Sequence, residues 1–215
     1  MSALAEQLCR CSSSSVSDAL DESKAGRGGV IEGLRVLGRR MRAAGPIETV
    51  LAEVDLVPRY PVEDFTIGQQ IHLTKSGSIL FIDAWGKPVS NWGGLATRAA
   101  MLQGLAACVI RGGARDAEEI EEMDFLLATA HVTPRTGKGR IRFVDRGAAL
   151  QWGDVRVEPG DWAMADRTGI VVLPAHAVAD VARRAAEMEA ADDRFVRLLD
   201  RGLGFDEARR QVGHF

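Results

Sequence analysis

Apolar residues run through the chain in two rhythms. Unbroken apolar runs come first. Ser78 to Asp83, SILFID, ends on a carboxylate and predicts a buried strand, as do Leu105 to Ile110 (LAACVI) and Leu126 to Val132. Arg140 to Arg146 instead alternates, with Ile141 and Phe143 opposite Arg140 and Arg142, the pattern of a half-buried strand. VRVEPGDWAMAD predicts two short strands around a turn at Pro159 and Gly160, and TGIVVLP adds another. The second rhythm is helical. Leu95 to Gln103 places Leu95, Ala99 and Leu102 on one side and stops at Gly104. Residues 117–125, AEEIEEMDF, predict a helix directly after Asp116. From Ala175 onward the pattern is helical, broken at Gly202 and Gly204 before a short last helix. Near the start, Ser15 and Asp18 have the S-x-x-D spacing of a helix cap, and Gly26, Gly28 and Gly29 end that helix. Residues 30–57 predict short strands or turns, then a helix near Ile47 to Val54. AWGKPVSNWGG, punctuated by Gly86, Pro88, Gly93 and Gly94, predicts an irregular loop.

Taken in order, residues 78–110 spell strand, loop, helix, strand, with a glycine-rich turn at the helix N-terminus and a glycine hinge, Gly112-Gly113, after the second strand. Without repeats or a linker, the expectation is one domain over residues 1–215, with a core of about residues 13–174 and a C-terminal helical segment of about 175–215. Composition sharpens this only a little. Hydrophobic content of 46% and charged content of 27% belong to a globular chain. A formal net charge of −3 gives no basic excess for nucleic acid or an anionic membrane. No apolar stretch is long enough for a membrane span, and no signal pattern opens the chain. Three cysteines without a framework pattern fit a reducing compartment, so a cytoplasmic location is expected. Cys9 and Cys11 have C-x-C spacing and could bind a metal; Cys108, inside an apolar run, reads as a core residue.

Two elements could carry chemistry. Gly93-Gly94 falls where a loop becomes a helix, and the first amides of a helix have no internal partners. A carboxylate or phosphate could dock there; an ordinary tight turn would look the same. Arg115-Asp116 offers a guanidinium for a planar carboxylate and an oxygen ligand for Mg²⁺; a surface turn with Asp116 as helix N-cap is the plain alternative. Both elements sit at the C-terminal ends of consecutive predicted strands, where open α/β sheets bind ligands. His72, His131, His176 and His214 have no metal-site spacing. No Walker A, dinucleotide or nucleophile-elbow motif occurs. Glu187, Glu189, Asp192 and Asp193 read as a solvated helix face, and Trp85 and Trp92 flank the loop as packing or as pocket walls.

NWGGLATRAAMLQGLAACVIRGGARD, followed by VTPRTGKGRI, VRVEPGD and ADRTGIVVLP, resembles the RraA-like family over roughly residues 13–174. That family holds Mg²⁺-dependent pyruvate aldolases and the regulator of ribonuclease E activity. The resemblance implies a swivelling-type α/β/β/α sandwich with a C-terminal helix, assembled as a homotrimer or homohexamer with the site at the subunit interface. It implies Asp116 as the ligand of Mg²⁺ (or Mn²⁺) and Arg115 as the catalytic group at the substrate keto oxygen. It also implies that the amides around Gly93, Gly94, Leu95 and Ala96 hold the substrate carboxylate. The aldolase signature has an acid, twenty intervening residues and then Arg-Asp, so the acid position falls here on Gly94. Arg111 stands where aspartate is usual and would favour a dianionic substrate. A neighbouring subunit's C-terminal glutamate reaches the site in some members; Glu187 and Glu189 are the only guesses for it. The implied activity is metal-dependent cleavage of a small 2-oxo acid through a pyruvate enolate, by retro-aldol reaction or oxaloacetate decarboxylation. A non-catalytic trimer that binds a protein partner is the alternative.

Overall fold

A computed structural model gives residues 2–213; His214 lies outside the described residues. In chain order the elements are α1 (Ala3–Arg10), α2 (Ser13–Glu22), β1 (Gly29–Ile31), β2 (Arg35–Leu37), β3 (Arg42–Val54), a 3-10 turn (Val62–Asp64), α3 (Ile67–Leu73), β4 (Ile79–Asp83) and β5 (Ser90–Trp92). Then come α4 (Gly94–Gln103), β6 (Ala107–Ala114), α5 (Ala117–Glu121), β7 (Leu127–Val132), β8 (Ile141–Arg146), β9 (Leu150–Trp152), β10 (Val155–Val157), β11 (Trp162–Asp166), β12 (Ile170–Leu173), α6 (Val178–Asp200) and α7 (Phe205–Val212).

The strands follow the order β1-β12-β11-β3-β4-β6-β7-β2, with β5 on β6, β8 on β3 and a separate β9-β10 hairpin. β3 belongs to both halves of this path. Its residues Arg42 to Pro46 pair antiparallel with β11, and Ile47 to Leu51 pair parallel with β4. The change of partner falls between Pro46 and Ile47, next to Gly45, where an added Cβ would lie 2.2 Å from the Gly77 carbonyl oxygen, so only glycine fits. Bending one strand lets the two halves face each other. Phe81, Val109 and Ala128 from one half meet Ala163, Ala165 and Val172 from the other, with Trp152 filling the gap. Helices α1, α2 and α6 cover the outside of the β11-β12 half through Leu8, Val16 and Val181. Residues Ile71, Ala100 and Ile120 of α3, α4 and α5 cover the outside of the β4-β6-β7 half. The layers are therefore helix, sheet, sheet, helix, the expected α/β/β/α sandwich.

Several sequence expectations need correction. Ile47 to Val54 is strand, not helix. Its apolar residues have helical spacing, but this central strand is buried on both faces, so no alternation marks it. The α2 cap is Ser12, which accepts from the Ser15 amide at 3.1 Å; Ser15 instead donates its hydroxyl to Glu189. β6 runs on through Gly112 and Gly113 to Ala114, so the glycines are not a hinge. They allow close packing: a Cβ at Gly112 would meet Ala84 and Asn91, and one at Gly113 the Val89 carbonyl. The loop before α4 contains the short strand β5, and α5 ends at Glu121, earlier than the acidic run suggests. Helices α1 and α3 have no counterpart in the sequence reading.

Candidate active site

Parallel pairing of β4, β6 and β7 brings their C-terminal ends to one edge, where β5 adds alongside β6. The Arg115 amide donates to the Trp92 carbonyl at 2.9 Å, which fixes the end of β6 against the turn into α4. The two segments singled out above therefore meet. Gly93 is the N-cap of α4, and the Gly94 amide donates to Asp116 Oδ2 at 3.1 Å. The amides of Leu95 and Ala96 have no hydrogen-bond partner among the described residues. Both residues line a cavity of about 280 Å³, together with Gly93, Arg115 and Asp116.

Asp116 occupies the N-cap position of α5, where its carbonyl accepts from the Ile120 amide, but its side chain does not cap the helix. Its φ of 59° and ψ of 39° are left-handed, and its carboxylate makes no cap bond to its own helix. It points instead at the start of α4, leaving Oδ1 without a hydrogen bond among the described residues. Arg115 Nε lies 3.6 Å from Asp116 Oδ2, and the two side chains are 44% and 42% exposed, so both remain reachable from the cavity. The glycine pair is required by what sits on it. A Cβ at Gly93 would lie 2.5 Å from Asp116 Oδ2 and 3.1 Å from Arg115 Cγ. A Cβ at Gly94 would lie 2.1 Å from Glu119 Oε2.

Further wall comes from residues that no sequence pattern singles out. Ser90, Thr136 and Lys138 add polar groups and Phe65 and Ile67 an apolar side. Lys138 lies in the VTPRTGKGRI block, which was legible only as a family motif. Glu119, over Gly94, was hidden in the acidic run AEEIEE.

Other candidates fall elsewhere. Arg111 is not a free charge at this site: Nε and Nη2 donate to both oxygens of buried Asp83 at 2.8 and 2.5 Å, and its guanidinium packs against Trp85 and Trp152. Trp92, by contrast, is itself a wall of this cavity, largely buried and with its Nε1–H donated to Thr97 Oγ1; Trp85 lines a different, wider recess with Tyr60, Lys87 and Arg142. His72, His131 and His176 do not line the cavity. Glu189 accepts from the Ser12 amide and Ser15 hydroxyl, and Glu187 pairs with Arg183 and Arg184, so both are engaged within the chain. Cys11 and Cys108 are buried, and among the described residues no group of three or more His, Cys, Asp or Glu is placed to hold a metal.

Fold and cavity together define an α/β protein with an arginine–aspartate pair set against an open helix start. The chain belongs to the RraA-like family, Aldolase/RraA, which matches residues 13–172. It is 26% identical over 96% of its length to protein DlpA of Legionella pneumophila, of which it spans only 33%. It is 31% identical to the 4-hydroxy-4-methyl-2-oxoglutarate aldolase of Thermus thermophilus, over 64% of this chain and 79% of that one. Among solved structures, an uncharacterized protein from Pseudomonas syringae superposes with a TM-score of 0.84 at 25% identity, covering 97% of this chain and 93% of the other. No helix among the described residues is long and apolar enough to cross a membrane.

Proposed function

We propose that this protein is a divalent-metal-dependent carbon–carbon lyase acting on a small 2-oxo acid. The observation that carries the reading is the convergence of Arg115, Asp116 and the two free amides of Leu95 and Ala96 on one cavity. The likeness to a named 2-oxo acid aldolase supports it.

Asp116 suits Mg²⁺ or Mn²⁺, hard cations that take oxygen ligands; Mg²⁺ keeps several of its waters and needs only one or two carboxylates. It has one oxygen fixed by the Gly94 amide and one open, and the missing Cβ at Gly93 leaves room for that carboxylate. When bound, the cation would polarise the substrate's 2-keto oxygen as a Lewis acid. The chain supplies the rest. The Leu95 and Ala96 amides, at the positive end of the α4 dipole, would bind the carboxylate next to the keto carbon. Arg115 would donate to the keto oxygen as negative charge collects there, an interaction stronger in the transition state than in the ground state. Such a pre-placed donor is worth roughly 3–4 kcal/mol in known oxyanion sites. In oxaloacetate decarboxylation the bond to the departing carboxylate breaks, its electron pair moves toward the keto oxygen, and a proton then returns to the methylene carbon. Retro-aldol cleavage needs in addition a base for the 4-hydroxyl. Among the described residues Asp116 is the only carboxylate lining the cavity, so decarboxylation is the step these side chains support most directly. The fuller reading is a homotrimer or homohexamer; Leu95 and Leu102, 81% and 91% exposed on α4, are the apolar surface such an assembly would cover.

The test is pyruvate release from oxaloacetate and from 4-hydroxy-4-methyl-2-oxoglutarate, with Mg²⁺ or Mn²⁺ present. Asp116→Ala should abolish the metal-stimulated rate and Arg115→Lys should lower kcat at least about a hundredfold. Absence of turnover on both substrates by the intact protein would overturn the reading. It would turn attention to the partner-binding alternative, which the lack of an acid at Gly94 favours and which predicts partner capture unaffected by Asp116→Ala.

A further inference from the structure

Trp85 sits where a tryptophan is not expected. The Lys87 amide donates to the Ala84 carbonyl at 3.1 Å and closes a four-residue turn whose two central residues, Trp85 and Gly86, lie at φ of 56° and 67°. Glycine, asparagine and aspartate fill such places readily; a bulky indole does not. Nor does the ring fill a core, since the residue is 59% exposed. The turn is nonetheless firmly held. The Trp85 amide donates to Asp83 Oδ1 at 2.8 Å and the Gly86 amide to the Arg111 carbonyl at 3.0 Å. The indole is backed as well: the Arg111 guanidinium, locked on Asp83, lies 5.6 Å from the ring centroid. Arg111 does not line the recess that Trp85 lines, so its guanidinium covers the inner side of the ring and leaves the other side open.

That recess, about 840 Å³, shares no lining residue with the cavity at Arg115 and Asp116. Tyr60 stands in it as a second ring, with the Arg142 guanidinium 5.1 Å from its centroid. Its charges do not balance. Glu53 is taken by Arg142 at 2.6 Å, and Asp55 lies 3.5 Å from Arg59. Lys87 donates Nζ to the Val54 carbonyl at 2.6 Å and has no carboxylate partner among the described residues. We propose that this recess is a second ligand site, for a molecule that joins a planar ring to an acidic group, with the ring stacked on Trp85 and the acid paired with Lys87. An indole already held in place loses little freedom on binding, and its face accepts flat rings of many kinds. Presenting that face outward accounts for the strain kept at residue 85. A nucleoside monophosphate and an aromatic carboxylic acid share this chemistry. The site does not depend on the lyase reading of the other cavity.

The measurement is titration of the full-length protein with AMP and with benzoate, read by calorimetry and by quenching of tryptophan fluorescence. At least one should bind and quench. The ring-only and acid-only controls, adenosine and ribose 5-phosphate beside AMP, benzamide and acetate beside benzoate, should each bind at least about tenfold more weakly. Trp85→Ala and Lys87→Gln should each weaken binding about tenfold or more, and Trp85→Phe less. Trp85→Asn suits the left-handed turn, so it should melt no lower than the unaltered protein and still lose binding, which separates a lost platform from a lost fold. Binding of AMP alone identifies a nucleotide and of benzoate alone an aromatic acid; either supports the proposal. It is overturned if neither binds, if ribose 5-phosphate or acetate binds as tightly as its parent compound, or if Trp85→Asn binds like the unaltered protein.

Discussion

Asp116 is one of two non-glycine residues at positive φ among the described residues, the other being Trp85. Left-handed backbone costs an ordinary residue roughly 1–2 kcal/mol, and aspartate and asparagine tolerate it best. Asparagine at 116 keeps the acceptor for the Gly94 amide and discards the charge. Asp116→Asn should therefore unfold within about 1 kcal/mol of the unaltered protein while losing Mn²⁺ binding and metal-stimulated turnover; a thermal melt beside a binding titration checks both. Gly93→Ala makes the complementary point. Its φ of −159° suits any residue, so the fold should hold, but the methyl lands on Asp116 Oδ2 and Arg115 Cγ. Turnover should fall at least about tenfold with a small change in melting temperature. Much of this site was legible from the residues, because a glycine pair at a helix start and an Arg-Asp pair at a strand end both invite anions and cations. Glu119 was not. It is one of four glutamates in AEEIEE, and only the missing Cβ at Gly94, three-dimensional information, separates it from its neighbours.

At the level of elements, α2 is tied to the rest of the molecule by two carboxylates. Asp166 accepts from the Ser13 amide at 2.9 Å and the Ser13 hydroxyl at 2.8 Å, and Glu189 accepts from the Ser12 amide at 2.6 Å and the Ser15 hydroxyl at 2.8 Å. Burial pushes both carboxyls up, but for Asp166 the amides and hydroxyl of Ser13, Thr168 and Gly169, and for Glu189 those of Ser12 and Ser15, outweigh it. Both end below their ordinary values. A depressed folded value means that the stabilisation is complete above the unfolded values of about 3.9 and 4.3 and fades as pH falls through the lower folded ones. Asp166→Asn should cost about 2 kcal/mol near pH 7, and the gap should narrow toward pH 3; urea unfolding at both pH values measures it. The same region shows what sequence spacing misses. Ser12 and Ser15 each head an apparent cap, and the choice between them is made by Glu189, 174 residues beyond Ser15. Likewise IETVLAEV has the spacing of an amphipathic helix, and becomes strand because β4 and β8 pair with this part of β3.

For the whole molecule, β3 is the member on which the two facing sheets depend. Gly45→Ala would drive a methyl into the Gly77 carbonyl, a backbone group that cannot swing aside. It should lower stability by about 1–3 kcal/mol, read as a lower urea midpoint. The layered architecture was recoverable from the order of runs and periods, since buried strands alternate with helices over residues 78–132. Which strand would serve both layers was not, because Gly45-Pro46 reads locally as a break between elements and structurally as a corner within one. That corner fixes where the polypeptide tolerates being cut. Cleavage inside residues 42–54 would strand two fragments, each with a bare apolar face and an orphaned strand edge, and neither should persist alone. Cleavage at Gly202 to Gly204, between α6 and α7, severs no strand pairing at all, so a nicked chain opened there should still travel as one particle.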